Sequence, residues 1–455
     1  MGGCATKTSM DPSSREGEPS DNFEPAGVGQ PAVELSEEEL ELKKKQASVT
    51  LHGTADLPPG ARGGYTGLQN LGNTCFMNSA LQCLSHTQPL TEYFLYSNWQ
   101  KEINISNPLG MQGKIAESYG ALVTRMWRGE KKILSPSKFK KTVSRWAPQF
   151  AGYEQHDSSE LLTFLLDGLH EDLNRVDKKP YVEDVDCDGK AGKEELVAAE
   201  SWRNYLLRNK SIIVDLFQGQ LRSTLVCLHC SHRRVKFDPF MYLSLPVPSS
   251  KSGNISLDDC LREFTTEEKL TGEERWYCSK CKEFRDATKK FDLWKLPPIL
   301  LVCLKRFEYT EYGSRQKIDK VVDFPVAKHW SLKKHVKSPQ RESPVYSLYA
   351  VSNHHGDCSG GHYTAFCKDQ NSPQWYLFND SQYSEVSSSD DVNSSAAYVL
   401  MYQKMLTVKH GGMYRRQTVT LPQLWPHIVD GDMGGRNSQF KPRNMKLKKN
   451  HSDNV

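Results

Sequence analysis

No run of apolar residues in this 455-residue chain approaches the roughly 18 that a membrane-spanning helix needs. The opening residues also lack the apolar stretch of a secretory leader. A transmembrane or ordinarily secreted protein is therefore not expected. An excess of one charge sign is missing too: 59 Lys and Arg face 55 Asp and Glu. That balance argues against a nucleic-acid binder or a polyanionic shield. Apolar residues are scarce, at 37% with Tyr counted. Counting Gly instead of Tyr gives about 40%, against roughly 45–50% in an ordinary globular chain, so part of the chain is not expected to pack. Nor is there a dense cysteine framework. Twelve cysteines spread along the chain suit reduced thiols, metal ligands or a nucleophile, and a cytosolic compartment.

Charge and composition divide the chain in three. Residues 1–60 carry a net −6 and residues 404–455 a net +7. Residues 1–64 are rich in Pro, Gly, Ser and Glu and read as a tail, with one short helix over Leu35 to Lys45. Its start, Met1-Gly2-Gly3-Cys4-Ala5-Thr6, fits the acceptor pattern for myristate at Gly2, and Cys4 could take a second acyl chain. Two chains would hold a protein at a membrane surface where one is marginal. Residues 65–403 are globular in pattern, first helical and then strand-like, and are expected to form one large domain with a metal-bearing subdomain. Residues 404–455 read as a basic, mostly disordered tail suited to acidic lipids or acidic partners.

Gly67-Leu68-Gln69-Asn70-Leu71-Gly72-Asn73-Thr74-Cys75 precedes an apolar spacing through Phe76, Ala80, Leu81 and Leu84. This predicts a helix beginning near Cys75, capped by Asn73 or Thr74. The thiol then sits at the positive helix end, where N–H groups and the dipole favour thiolate. Asn70 lies in a Gly-flanked turn from which its amide would face an oxyanion. Local context alone fits a buried structural cysteine better than a catalytic one. A base is supplied by His362, in a strand entered through Gly360 and Gly361. A second strand follows over residues 374–380. With a hairpin turn over 369–373, antiparallel partners sum to about 742, placing His362 opposite Asp380 with Asn379 beside it. Either residue would be near enough to orient the imidazole. The pattern suggests a Cys-His-Asn/Asp protease site.

Cys227-x-x-Cys230 and Cys278-x-x-Cys281 form two knuckles, and four thiolates suit tetrahedral zinc. The long separation predicts a structural site tying two distant hairpins, with no open position for chemistry. A redox pair is the rival, but no thioredoxin-like context surrounds either knuckle. Asp184, Asp186, Asp188, Gly189 and Glu195 match a calcium-loop expression. Ala191 at the apolar position, the lack of a partner loop and Pro180 in the incoming segment favour a solvated acidic turn instead.

Together, Gly67 to Leu84, the two knuckles, Leu304-Lys305-Arg306-Phe307 and Gly360 to Asp380 resemble the ubiquitin-specific protease family over about residues 65–403. The likeness extends to the segment Leu166 to Asn174. The resemblance implies an α+β, papain-like fold of fingers, palm and thumb, with zinc at the fingertips and no organic cofactor. It implies that Cys75 attacks the carbonyl of ubiquitin's last glycine, that His362 moves the proton, that Asn379 or Asp380 orients His362, and that Asn70 stabilises the oxyanion. It places Asp157 and Glu160 against ubiquitin's basic tail and Tyr363 in the narrow channel for the tail's two glycines. Asp157-Ser158-Ser159-Glu160 is also a helix-capping pattern, and a cap alone would justify Asp157. Ser159 stands where the family commonly has Gln. Partners implied are ubiquitin, ubiquitinated proteins and polyubiquitin, without nucleic acid. A catalytically weak ubiquitin-binding scaffold, or a protease for another ubiquitin-like modifier, would share these motifs.

Overall fold

The computed structural model describes residues 63–129, 131–188, 192–248, 253–309, 315–339, 344–358, 360–410 and 413–418. Gly2, Cys4 and the basic residues beyond 418 lie outside them. Among the described residues no helix is long and apolar enough to cross a membrane.

Three helices matter to the site: α1 (Cys75–Ser85), α2 (Lys114–Trp127) and α3 (Ser158–Asp172). They belong to a helical thumb. The remaining architecture is built on strands β1 (Gly219–Cys227), β2 (Arg233–Phe240), β3 (Tyr242–Pro246), β4 (Ala287–Lys295) and β5 (Ile299–Lys305). Five more follow: β6 (Val345–Gly356), β7 (Gly361–Lys368), β8 (Trp375–Asn379), β9 (Gln382–Glu385) and β10 (Ala397–His410). The palm is a sheet in the order β9-β8-β7-β6-β10-β5-β3. The fingers are a second sheet in which β2, β1 and β4 are flanked by Asp186–Asp188 and Glu268–Leu270.

The palm sheet is covered on both faces, which is why β5 reads as a nearly continuous apolar run. Side chains alternate across it. Ile299, Leu301 and Cys303 join the core shared with the thumb helices, whereas Leu300, Val302 and Leu304 join the opposite core. α1 is buried on every side, so its polar residues must find partners inside. Ser79 Oγ donates to Thr364 O (2.8 Å), and Gln82 Nε2 donates to Thr66 O (2.7 Å). The first contact sets α1 along β7.

A fully buried carboxylate ties the thumb together. Asp172, at the end of α3, accepts from the N–H groups of Met111 (2.6 Å), Gly113 (3.0 Å), Ile115 (2.9 Å) and Ala116 (3.1 Å). These include the otherwise orphaned donors that open α2, and the negative charge suits that helix end.

β10 continues to His410 and pairs with a return strand over Met413–Thr418.

Candidate active site

Cys75 is the first residue of α1 and is 2% exposed. Thr74 occupies the cap position, but its side chain makes no capping hydrogen bond. Its hydroxyl instead accepts from Leu71 N (2.8 Å). The loop is organised by Asn70, whose Oδ1 accepts from Gly72 N (3.0 Å) and Thr74 N (3.1 Å). Gly72 and Asn73 both take positive φ, +97° and +54°, which a short amide side chain and a glycine tolerate best.

Burial pushes the Cys75 thiol up, opposed by the N–H of Tyr363 and reinforced by the charge of Asp380. The helix-end expectation of a favoured thiolate is thus corrected. The N–H groups of Phe76 and Cys75 do point at the sulfur, but removal from water outweighs them.

His362 enters β7 just after Gly361. Its Nε2 lies 2.7 Å from Asn379 Oδ1. An amide oxygen only accepts, so Nε2 carries the proton and Nδ1 is the basic nitrogen. No hydrogen bond joins His362 to Cys75 Sγ among the described residues. The β7–β8 ladder pairs Ala365 with Phe378 and Lys368 with Trp375, one residue out of the expected register. The reason is a connection of residues 369–374, one longer than anticipated.

Asn379 and Asp380 divide their labour. Asp380 has φ +49° in the turn into β9, which rotates its side chain away from that of Asn379. Its Oδ2 accepts from Asn70 Nδ2 (2.9 Å) and its Oδ1 from Asn78 Nδ2 (2.8 Å). Asp380 therefore holds the nucleophile loop, and Asn379 holds the histidine. The second N–H of Asn70 Nδ2 makes no hydrogen bond among the described residues. Asn78, on α1, is a site residue that the sequence analysis missed; its spacing of three from Cys75 was the only signal.

The remaining candidates lie at the start of α3 and in β7. Asp157 caps α3 by accepting from Ser159 N (2.7 Å), and its other oxygen accepts from Tyr398 OH (2.5 Å). Glu160 does not complete a capping box: its Oε2 is buried without a partner, and burial followed by the charge of Asp157 holds its carboxyl up. Tyr363 is buried, with its ring 4.7 Å from His354 and 6.5 Å from Tyr398.

At the fingertips the four sulfurs of Cys227, Cys230, Cys278 and Cys281 all lie within 4.8 Å of one another, with Cys230 and Cys278 at 3.6 Å. Tetrahedral zinc at about 2.3 Å from each sulfur requires sulfurs about 3.8 Å apart, so the set fits the ion. Each knuckle closes on a left-handed residue, Ser231 (φ +55°) or Lys282 (φ +61°), whose N–H donates to Cys227 O (2.9 Å) or Cys278 O (2.7 Å). Two acids of the calcium expression are otherwise engaged. Asp184 pairs with Lys236, Asp186 with Arg234, and Asp186–Asp188 is a strand.

The profile described as ubiquitin carboxyl-terminal hydrolase matches residues 66–402. The chain belongs to that family. It is 31% identical to putative ubiquitin carboxyl-terminal hydrolase 11 of Arabidopsis thaliana, over 76% of this chain and 66% of that one. It is 29% identical to human ubiquitin carboxyl-terminal hydrolase 15, over 77% and 67% of the two chains. The chain thus spans about two thirds of the length of these relatives. Among solved structures it resembles a SAGA DUB module of Ubp8, Sgf11, Sus1 and Sgf73 bound to monoubiquitin, with TM-score 0.60 and 25% identity over 81% of this chain and 74% of that chain. A yeast SAGA DUB module structure gives TM-score 0.58 and 26% identity, over 81% and 74%. The ubiquitin carboxyl-terminal hydrolase domain is accordingly a papain-like, mixed α and β cysteine peptidase, with Cys75 and His362 at the seam between thumb and palm.

Proposed function

We propose that the chain hydrolyses the peptide or isopeptide bond after the C-terminal glycine of ubiquitin on protein conjugates or chains. The observation that carries this reading is the joint anchoring of Asn70 by Asp380 and of His362 by Asn379 on either side of Cys75. His362 Nδ1 takes the thiol proton as the sulfur attacks, and returns it to the departing amine. Asn70 donates its free N–H to the oxyanion, while its other N–H stays on Asp380. Tyr363 narrows the channel, so only a tail without bulky side chains near the scissile bond passes.

Half-buried Glu160, whose Oε2 is buried without a hydrogen-bond partner, and Asp157 beside it receive the basic part of that tail. A buried unpartnered carboxylate oxygen is costly until a cation reaches it. Zinc, when held by the four cysteines, supplies folding energy to the fingers and no chemistry. Acylation of Gly2 and Cys4 would place this cytoplasmic enzyme at a membrane surface, and Gly2→Ala should then move it to the soluble fraction; a native protein already soluble refutes the anchor. Turnover of ubiquitin-coumarin by the chain and not by Cys75→Ala tests the activity.

A further inference from the structure

Residue Gln155 lies in the segment between the short turn Pro148–Phe150 and α3, and belongs to none of the catalytic groups above. Its carboxamide makes two hydrogen bonds to one residue of the palm. Oε1 accepts from Gly361 N (2.8 Å), and Nε2 donates to Gly361 O (2.8 Å). Gly361 is bonded directly to His362, and its two peptide planes set where the imidazole begins. We propose that Gln155 is a positioning residue for His362, acting through Gly361; the proposal rests on the reading of His362 as the base for Cys75.

Three observations give the contact leverage. First, on its β8 side the strand lacks a neighbour there, while β6 pairs with it on the other. The ladder from β7 to β8 begins only at Ala365, beyond His362, so the planar amide of Gln155 supplies at Gly361 the donor and acceptor that an adjacent strand would have offered. Second, Gln155 is itself fixed. On one side Tyr153 O accepts from Asn73 Nδ2 (2.7 Å), inside the nucleophile loop. On the other, His156 packs between Phe76 (5.4 Å) and Phe150 (5.1 Å), and Asp157 caps α3. Third, Gly361 has no room to move away. A Cβ at that position would collide with His355 O and the His354 ring. The loop before it is closed by Asp357 N donating to Gly360 O (3.1 Å), and Lys317 Nζ donates to His354 O (2.7 Å) and Gly356 O (2.8 Å). Gln155 therefore joins a segment anchored on the Cys75 side to the backbone that carries His362.

A base held by secondary contacts within a few tenths of an ångström is what the proton transfer needs. Loss of both hydrogen bonds leaves the ring held by Asn379 and its backbone held from the β6 side.

The test uses the full-length protein with Gln155→Leu, which removes both bonds at similar length, and Gln155→Glu, which keeps the acceptor but sets a carboxylate oxygen against Gly361 O. Each should lower kcat for ubiquitin-coumarin by about 10- to 100-fold, with KM within about twofold, as expected for a misplaced catalytic group. The melting temperature and ubiquitin affinity, measured in a Cys75→Ala background, should stay as in the parent. The His362 ring resonance, assigned by its absence in His362→Ala, should broaden or split in both variants. That signal needs no turnover, so an inactive parent with a perturbed His362 resonance rejects the deubiquitinase reading while upholding the contact. Unchanged kcat with an unchanged His362 resonance overturns the proposal. A fall in kcat matched by a fall in melting temperature and ubiquitin affinity also overturns it, in favour of a merely structural role.

Discussion

Asp380 is bonded to Asn70, not to His362. The carboxylate spans Asn70 Nδ2 at 2.9 Å and Asn78 Nδ2 at 2.8 Å, while the neighbouring Asn379 takes the imidazole at 2.7 Å. Two adjacent residues thus hold the two sides of the proposed site, the Asn70 loop and the His362 ring.

This division predicts a non-additive pair. Asn70→Ala should lower kcat by about 100-fold or more, as loss of an oxyanion donor does. Asp380→Ala should cost about 10- to 100-fold by releasing the same loop. The double variant should be little worse than Asn70→Ala, because the two act as one unit. Steady-state kinetics on ubiquitin-coumarin checks this, and fully multiplicative losses would show that Asp380 acts elsewhere.

The buried thiol predicts an unreactive resting enzyme. Burial and the charge of Asp380 raise Cys75, and only backbone N–H groups oppose them. A raised thiol stays protonated to higher pH, so alkylation of Cys75 should have its midpoint above the roughly 8.5 of an ordinary cysteine. Iodoacetamide labelling of the Cys75 peptide across pH, read by mass spectrometry without ubiquitin, measures it. A midpoint near 7 or below would contradict the burial argument.

The fingertip sulfurs predict a metal-dependent fingers region. Cys227→Ser should lower bound zinc and the melting temperature together, with activity falling indirectly, because metal binding and folding are coupled. Zinc content equal to that of the parent would refute the four-cysteine site.

What could be read from the residues alone was what lies close together in the chain. The glycine-flanked run into Cys75, the strand at His362 and both C-x-x-C knuckles carry their own local spacing, and the structure brings each set together. The strand register at Asn379 slipped by one because a single extra residue in the 369–374 connection shifts every pair. Asp380 could not be told from Asn379, since the left-handed backbone that separates them shows only in the fold. The burial that raises the thiol was not legible because the palm sheet packed on α1 is folded from residues more than 160 positions away from Cys75. Gln155 left no trace for the same reason: its partner is 206 residues along the chain.

The central claim is that Cys75, served by His362, cleaves after ubiquitin's last glycine. The most direct test is ubiquitin-coumarin hydrolysis by the full chain, run beside Cys75→Ala with ubiquitin binding measured on both. The account predicts turnover by the parent alone and equal ubiquitin binding by the two proteins. Turnover retained in Cys75→Ala, or none in the parent while ubiquitin still binds, would contradict it.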